Sequence, residues 1–422
     1  MDELRGIRRV AYVTARYPPM RSSGTYRVEA VVEHLPSHGF ELVPITIPNA
    51  WMAQQSGHDP GPVTDPRVIQ PEGELDNVIR LISRIPGLRR VLREALVPDI
   101  LVMWARSTTP KLLPLLDEVD AVYATGPPFS ALILANELAA SLDLPVIQEV
   151  RDPPSFNRRL VGRSRAWHKR MLRFERRTLL AADMIITVTD GTRRRLLELH
   201  SGLSPERCVV ITNGYPEIEP DLGASGRQSD RFTVAYVGSF QGGTGSRKDS
   251  LFNPAIVLPA LRDLEDASLR VVGPVTPEQR DLISAVEGGR LVTFTGLVER
   301  ETALAEVAAA DVALVIAEFE DWWIGRKVFE YLAFAKRILA IVPEAGDTAK
   351  LLKTHPKAVV VEPGAKLALR DALQRMYDDW VRGVPAPSDS WRPVQSDRSC
   401  VAEIAGVLHG IIDGRQASMR KA

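Results

Sequence analysis

At 422 residues the chain exceeds what one ordinary core serves and suits two domains of roughly 200 residues each. Its 45% apolar and 25% charged residues are those of a globular protein. With 53 basic against 53 acidic residues it has no global field to draw nucleic acid or an acidic partner, so any charge-driven binding comes from local clusters.

The N-terminus, "MDELRGIRRVAYVTARYPP", places acids first and then only a short apolar run, which is not the pattern of a secretory signal. No later stretch approaches the roughly 18 apolar residues of a membrane span, and the expected location is the cytoplasm. Short β-rich runs then alternate with helical patterns. Strands are predicted at 8–15, 41–47, 120–124, 145–150, 184–189 and 207–212, with "GTYRVEAVVEHL" (24–35) as the first helix. Their Val/Ile runs are nearly continuous rather than period-two, the mark of a parallel sheet covered on both faces. The segment 49–74, with Pro60, Pro62, Pro66 and Pro71, reads as a long surface loop.

A break follows at "NGYPEIEPDLGASGRQSD" (213–230), a linker composition. The alternation restarts with strands predicted at 232–238, 268–273, 290–296, 311–317, 337–342 and 357–362. The expected fold class is α/β, with two Rossmann-like parallel-sheet domains at 1–225 (linker included) and 226–395. "AADMIITV" (181–188) and "AADVALVI" (309–316) echo each other, each setting an Asp before a buried strand. Residues 396–422 hold a last helix with no strand after it, expected to cross back to the first domain. Cys208 and Cys400 belong to no CxxC or Cys/His array and read as small reduced side chains, a disulfide being the alternative.

Three turns could take an anion. In "YPPMRSSGTYR" (17–27), Ser22, Ser23 and Gly24 open the first helix and let the backbone approach a phosphate, with Arg27 adding charge. The plain alternative is a βα turn with a serine cap. In "VGSFQGGTGSRKDS" (237–250), Gly238 and Ser239 end a strand, glycines follow, and Arg247 and Lys248 supply charge; the alternative is a flexible loop. Neither turn has dinucleotide or P-loop spacing, which disfavours a dehydrogenase. In "IGRKVFEYLAF" (324–334), Gly325 precedes Arg326 and Lys327 in the first turn of a helix, where the macrodipole already favours negative charge. Lys327 and Glu330 share a face, so either they pair with each other or Lys327 meets a phosphate while Glu330 accepts from paired hydroxyls.

In this order the motifs resemble those of the GT-B glycosyltransferases, and among them the retaining family-4 group. The similar stretches are "VTARYPP…SSGTYR", "DAVYATGPPFSALILANELAASLDLPVIQEVRDP", "FERRTLLAADMIITVTDGTRRRLL", "VVITNGY", "AYVGSF" and "GRKVFEYLAFAKRILAIVPEAGDTAKLL". The resemblance implies a retaining hexosyltransferase whose two domains face across a cleft. The donor, a nucleotide-diphosphate sugar, would be a substrate; no cofactor is implied. Glu330 would bind the donor ribose, and Arg247 or Lys248 with Lys327 would neutralise the leaving diphosphate. Gly238, Ser239, Gly325 and Arg326 would line the donor site, with Ser23 and Gly24 approaching it from the first domain. The acceptor, of unknown chemistry, would lie on the first domain near Arg27, Thr125, Gly126 and Arg151. Asp152 would orient its hydroxyl or pair with Arg151. The chain departs from the group at Trp322, where many relatives carry a second Glu, and at "ATGPPF" (124–129), which has no His.

Two further stretches carry less specific signals. "RRLVGRSRAWHKRMLRFERR" (158–177) holds nine cations against Glu175. It reads as a solvated basic face, a phosphorylated-acceptor site or a peripheral contact with an anionic membrane, with Trp167, Leu172 and Phe174 as the apolar side. "EFEDWW" (318–323) lacks DxD spacing and a partner His, so no metal is expected; its tryptophans would stack on a sugar or base or cover the site. The rivals to transfer are a nucleotide-sugar epimerase or hydrolase and a non-catalytic nucleotide-sugar-binding subunit.

Overall fold

The structure is a computed structural model and describes residues 6–56, 59–74, 76–157, 164–215, 230–238, 253–286, 288–317, 321–333, 337–356, 358–385 and 395–419. The chain forms two compact units, Met1–Asn213 with Asp397–Ala422, and Gly214–Ser396.

The first unit is built on β1 (Arg8–Thr14), β2 (Phe40–Ile45), β3 (Ala121–Gly126), β4 (Val146–Val150), β5 (Met184–Thr187) and β6 (Cys208–Val210). All pair in parallel in the order β2-β1-β3-β4-β5-β6. Every residue of β3 and β4 is buried, as in strands covered on both faces. Its helices are α1 (Ser23–His34), α2 (Asn49–Ser56), α3 (Asp76–Ser83), α4 (Pro86–Ala95), α5 (Val102–Leu112), α6 (Ser130–Leu142), α7 (Arg165–Leu180) and α8 (Asp190–Leu199).

The second unit repeats the design with β7 (Phe232–Val237), β8 (Ala267–Val272), β9 (Val292–Gly296), β10 (Val312–Ile316), β11 (Arg337–Ile341) and β12 (Ala358–Val361). Their order is β12-β11-β10-β7-β8-β9, again parallel. Between them run α9 (Leu258–Leu261), α10 (Pro277–Ser284), α11 (Arg300–Ala309), α12 (Arg326–Ala333), α13 (Asp347–Leu352) and α14 (Lys366–Val381). The chain then returns to the first unit as α15 (Asp397–Met419). There Cys400, Val401, Ile404, Leu408 and Ile412 join the core, and Arg8 bonds His409 Nδ1 at 3.0 Å and pairs with Asp413. Cys208 and Cys400 are buried free thiols.

All the predicted strands are present, with ends within two residues of expectation. The Asp echo has a physical basis. Asp183 Oδ2 accepts from Val146 N, and Asp311 Oδ2 from Thr233 N, both at 2.8 Å, while each Asp N–H donates back to the same neighbour's carbonyl. Asp120 does the same for Arg9. Each aspartate closes the exposed start of a parallel ladder. One expectation fails: 49–56 is helical rather than loop, because Trp51 and Met52 are buried in the core and tertiary packing overrides the proline-rich surroundings. The break predicted at 213–230 lies largely outside the described residues.

Candidate active site

In the second unit β7, its first strand, lies between β10 and β8, so the chain's winding reverses direction between β10 and β7. Open α/β sheets bind ligands at the carboxyl ends of the strands at such a point. Two predicted stretches meet there. Gly238 follows β7 with φ +134°, and its N–H donates to Val272 O at 2.8 Å. Lys327, in the first turn of α12, donates from Nζ to Val237 O at 2.6 Å and lies 4.4 Å from the centroid of the Tyr236 ring. A Cβ at Gly238 would stand 2.7 Å from that Nζ, and the positive φ is what favours glycine there. Gly273, after β8, is equally constrained: a Cβ there would be 2.6 Å from Gly238 O.

The start of α12 is held from two sides. Val237 N donates to Tyr331 Oη at 3.2 Å, and burial raises the phenol's pKa, keeping it neutral. The segment before α12 is tied down where Asp347 N donates to Asp321 O at 2.8 Å and Thr348 Oγ1 to Trp323 O at 2.5 Å. A Cβ at Gly325 would fall 2.2 Å from the Trp323 ring, so the ring rests directly on that glycine. Trp322 is only 4% exposed and does not offer a stacking face. Arg326 is buried as well. Glu330 does not pair with Lys327. Its Oε1 accepts from Arg300 Nη2 at 3.3 Å and lies 3.8 Å from Arg326 Nε. Ser239, Arg247 and Lys248, like Glu318 and Glu320, lie outside the described residues. Among the described residues no group of three His, Cys, Asp or Glu side chains could hold a metal ion.

In the first unit the turn at 22–27 is a capped helix start, Ser22 Oγ accepting from Thr25 N at 3.2 Å. Ser23 opens α1 and Gly24 follows. Arg151, just after β4, ties two predicted residues together: Nη1 donates to Gly24 O at 3.0 Å and Nε to Gly126 O at 3.3 Å. Its Nη2 is buried without a hydrogen-bond partner among the described residues, and it would stand 3.2 Å from a Cβ at Gly24. The Arg16 side chain borders the same glycine, at 2.7 Å from that Cβ position. Burial and then the Arg151 charge lower the Arg16 pKa, while Asp152 opposes them. No ion pair joins Arg151 to Asp152. Two guanidiniums beside a helix N-terminus suit an oxyanion.

Arg27 does not contribute to that turn. It is 1% exposed and donates to Glu149 Oε1 at 2.8 Å and to the carbonyls of Thr212 and Ile211. Tyr123 Oη also donates to Glu149, at 3.0 Å. Burial alone would raise the Glu149 pKa, but Arg27 and then Arg151 outweigh it and hold the carboxylate ionised. Thr125, beside it, is wholly buried. Arg16, Arg300 and Gly273 escaped the sequence reading. Only Gly273 carried a signal there, since "SLRVVG" ends in glycine as "FTVAYVG" does.

Comparison with known proteins agrees with this fold. Residues 24–214 match the family described as "Glycosyl transferase 4-like domain", and 231–379 match "Glycosyl transferases group 1". No curated protein sequence matches the chain. Among solved structures, sucrose-phosphate synthase from Thermosynechococcus elongatus is similar with a TM-score of 0.64 at 16% identity, covering 98% of each chain. HepE of Anabaena in complex with UDP has a TM-score of 0.65 at 15% identity, over 96% of this chain and 100% of its own. A protein described as a UDP-N-acetylglucosamine 2-epimerase from Listeria monocytogenes has a TM-score of 0.55 at 11% identity, over 96% of each chain. At such identities the structures establish a shared fold, and the two family matches, which together span most of the sequence, place the chain among the GT-B glycosyltransferases.

Proposed function

We propose that the protein moves a sugar from a nucleotide-diphosphate donor to an acceptor, with retention at the sugar and without a metal or other cofactor. The observation that carries this reading is Lys327, whose ammonium is fixed against Val237 O and the Tyr236 ring where β7 ends in Gly238. There it meets the phosphates of a donor laid over the strand ends. Lys327 and the first turn of α12, joined by Arg247 and Lys248, hold the charge of the diphosphate as it leaves. Such stabilisation is worth on the order of several kcal/mol. Glu330, steadied by Arg300 and Arg326, accepts from the ribose hydroxyls. The acceptor oxygen forms its bond to the sugar on the face the diphosphate leaves, and its proton passes to the departing phosphate oxygen.

The acceptor side is assigned to the first unit at Gly126 and Arg151, with Asp152 orienting the hydroxyl. The adjacent guanidiniums of Arg16 and Arg151 favour an acceptor that carries an anionic group. A cytoplasmic location, with the cationic stretch 158–177 at an anionic membrane surface, belongs to the same reading. HepE holds UDP, which makes UDP the first nucleotide to try.

Thermal unfolding against UDP, GDP, ADP, CMP and dTDP tests the donor site. A nucleotide at about 100 times its Kd stabilises the wild type by roughly 2.7 kcal/mol. Lys327→Ala and Glu330→Ala are expected to lose most of that shift; stabilisation by no nucleotide would sink the reading. Product analysis without acceptor separates transfer from epimerisation or hydrolysis. The buried Trp322, where relatives carry a Glu, favours a second reading in which the nucleotide sugar is bound and not transferred. Nucleotide binding without turnover on any acceptor would support it.

A further inference from the structure

Among the described residues eleven large hydrophobic side chains are exposed, and five of them, Val78, Leu81, Ile85, Leu88 and Val91, fall on α3, α4 and the link between them. On α3 the inward face is Asp76, Ile79 and Ser83, which leaves Val78 and Leu81, three apart, facing solvent. On α4, Leu92 packs toward the core and Leu88 and Val91 face out in the same way. Two adjacent helices thus share an apolar outer surface, more than scattered exposure of single residues would produce.

The cationic helix α7 joins that surface at its edge. Ser164 Oγ donates to Glu94 Oε2 at 2.7 Å, Arg170 Nη1 donates to Glu94 O at 3.0 Å, and Arg170 also bonds Ala95 O. Exposed cations run from Arg84 and Arg93 through Arg165, Lys169, Arg170 and Arg173. The acids of these helices are not exposed: Asp76 and Glu175 are buried, and Glu94 is half-buried. Two of the three apolar side chains of α7 expected to face a membrane do not. Trp167 is 2% exposed and Phe174 packs against the core, because α7 uses its apolar stripe to cover the sheet. The apolar and the cationic halves of an amphipathic surface therefore sit on different helices and meet at Glu94–Ala95.

We infer that α3, α4 and the first half of α7 form one peripheral docking surface for an anionic lipid bilayer. The apolar side chains of α3 and α4 enter the boundary below the headgroups, and the arginines meet the lipid phosphates. Charge argues for lipid over protein: six exposed cations with no exposed acid on these helices match a sheet of phosphates around an apolar interior. The inference holds whether or not the chain transfers sugar.

Co-sedimentation of the full chain with vesicles tests it, using phosphatidylcholine alone and phosphatidylcholine containing phosphatidylglycerol. Binding is expected to the anionic vesicles, weakened by salt, and not to the neutral ones. Leu81→Glu/Val91→Glu alters only exposed positions. With its fold verified by circular dichroism and melting, it is expected to bind at least about tenfold more weakly, since affinity scales with the apolar area buried. Wild-type binding that the double variant leaves unchanged would reduce the contact to α7 charge and overturn the proposal. So would no binding at low salt, or a concentration-dependent dimer that the same variant abolishes while vesicles are ignored.

Discussion

At Arg27 a guanidinium is enclosed within the first unit, held by Glu149 and by the last carbonyls before the chain leaves it. Removing one member of such a pair leaves the other charge buried and uncompensated, so Arg27→Ala should cost about 3–5 kcal/mol in a denaturant titration. A loss below about 1 kcal/mol would mean that water reaches the carboxylate. From sequence Arg27 looked like a ligand residue, because an Arg three positions after a Gly at a helix start has that look in any βα turn. Its partner lies 122 positions away, on β4, and only the tertiary fold brings the two together. Glu330 is the converse. Its position on α12 was legible, but its company was not, since Arg300 comes from a different helix.

The closing helix shows how an element is assigned by what it covers. α15 has a Ser/Asp start and an apolar stripe that any reader of the sequence would call a helix, yet its place depends on partners near the other end of the chain. Arg8, His38 and Phe40 meet His409 through hydrogen bonds at 3.0 and 3.1 Å and a ring contact at 4.4 Å. Ending the chain at residue 395 would uncover α1 and the 35–38 turn on their α15 side and strip six buried residues, Ala405 among them, from the first core. Calorimetry of that truncation should show the first unit melting lower or not folding, while the second, whose core holds no α15 residue, keeps its transition. An unchanged first transition would refute this packing account. The α3–α4 pair makes the opposite case. Its outward apolar residues find no core, and that same shortage of cover made its surface visible only once the fold was known.

At the scale of the molecule, the two cores are separate, and one source of acid sensitivity belongs to the second alone. In the second unit burial pushes the His355 imidazole from its usual 6.5 down to about 4. The unfolded chain therefore binds that proton first. The stability His355 contributes is complete above pH 6.5 and is lost as the pH falls toward 4. His355→Phe should flatten the pH dependence of the second unit's unfolding across that window. A slope as steep as that of the wild type would place the acid sensitivity elsewhere, the carboxylates being the next candidates.

The twelve strands, their parallel pairing and the division into two sheets were readable from the sequence alone, because continuous Val/Ile runs have few other ways to be buried. The βα turns that could receive an anion were readable too, since glycine and cations at a strand's end are local features. Four things were settled only in three dimensions: that Arg27 lies inside, that Glu330 rests between two arginines, that Trp167 faces the core, and that 49–56 is helical. Each depends on partners that composition and period do not name. Local backbone preference acts over a few residues, whereas burial and charge pairing join positions hundreds of residues apart.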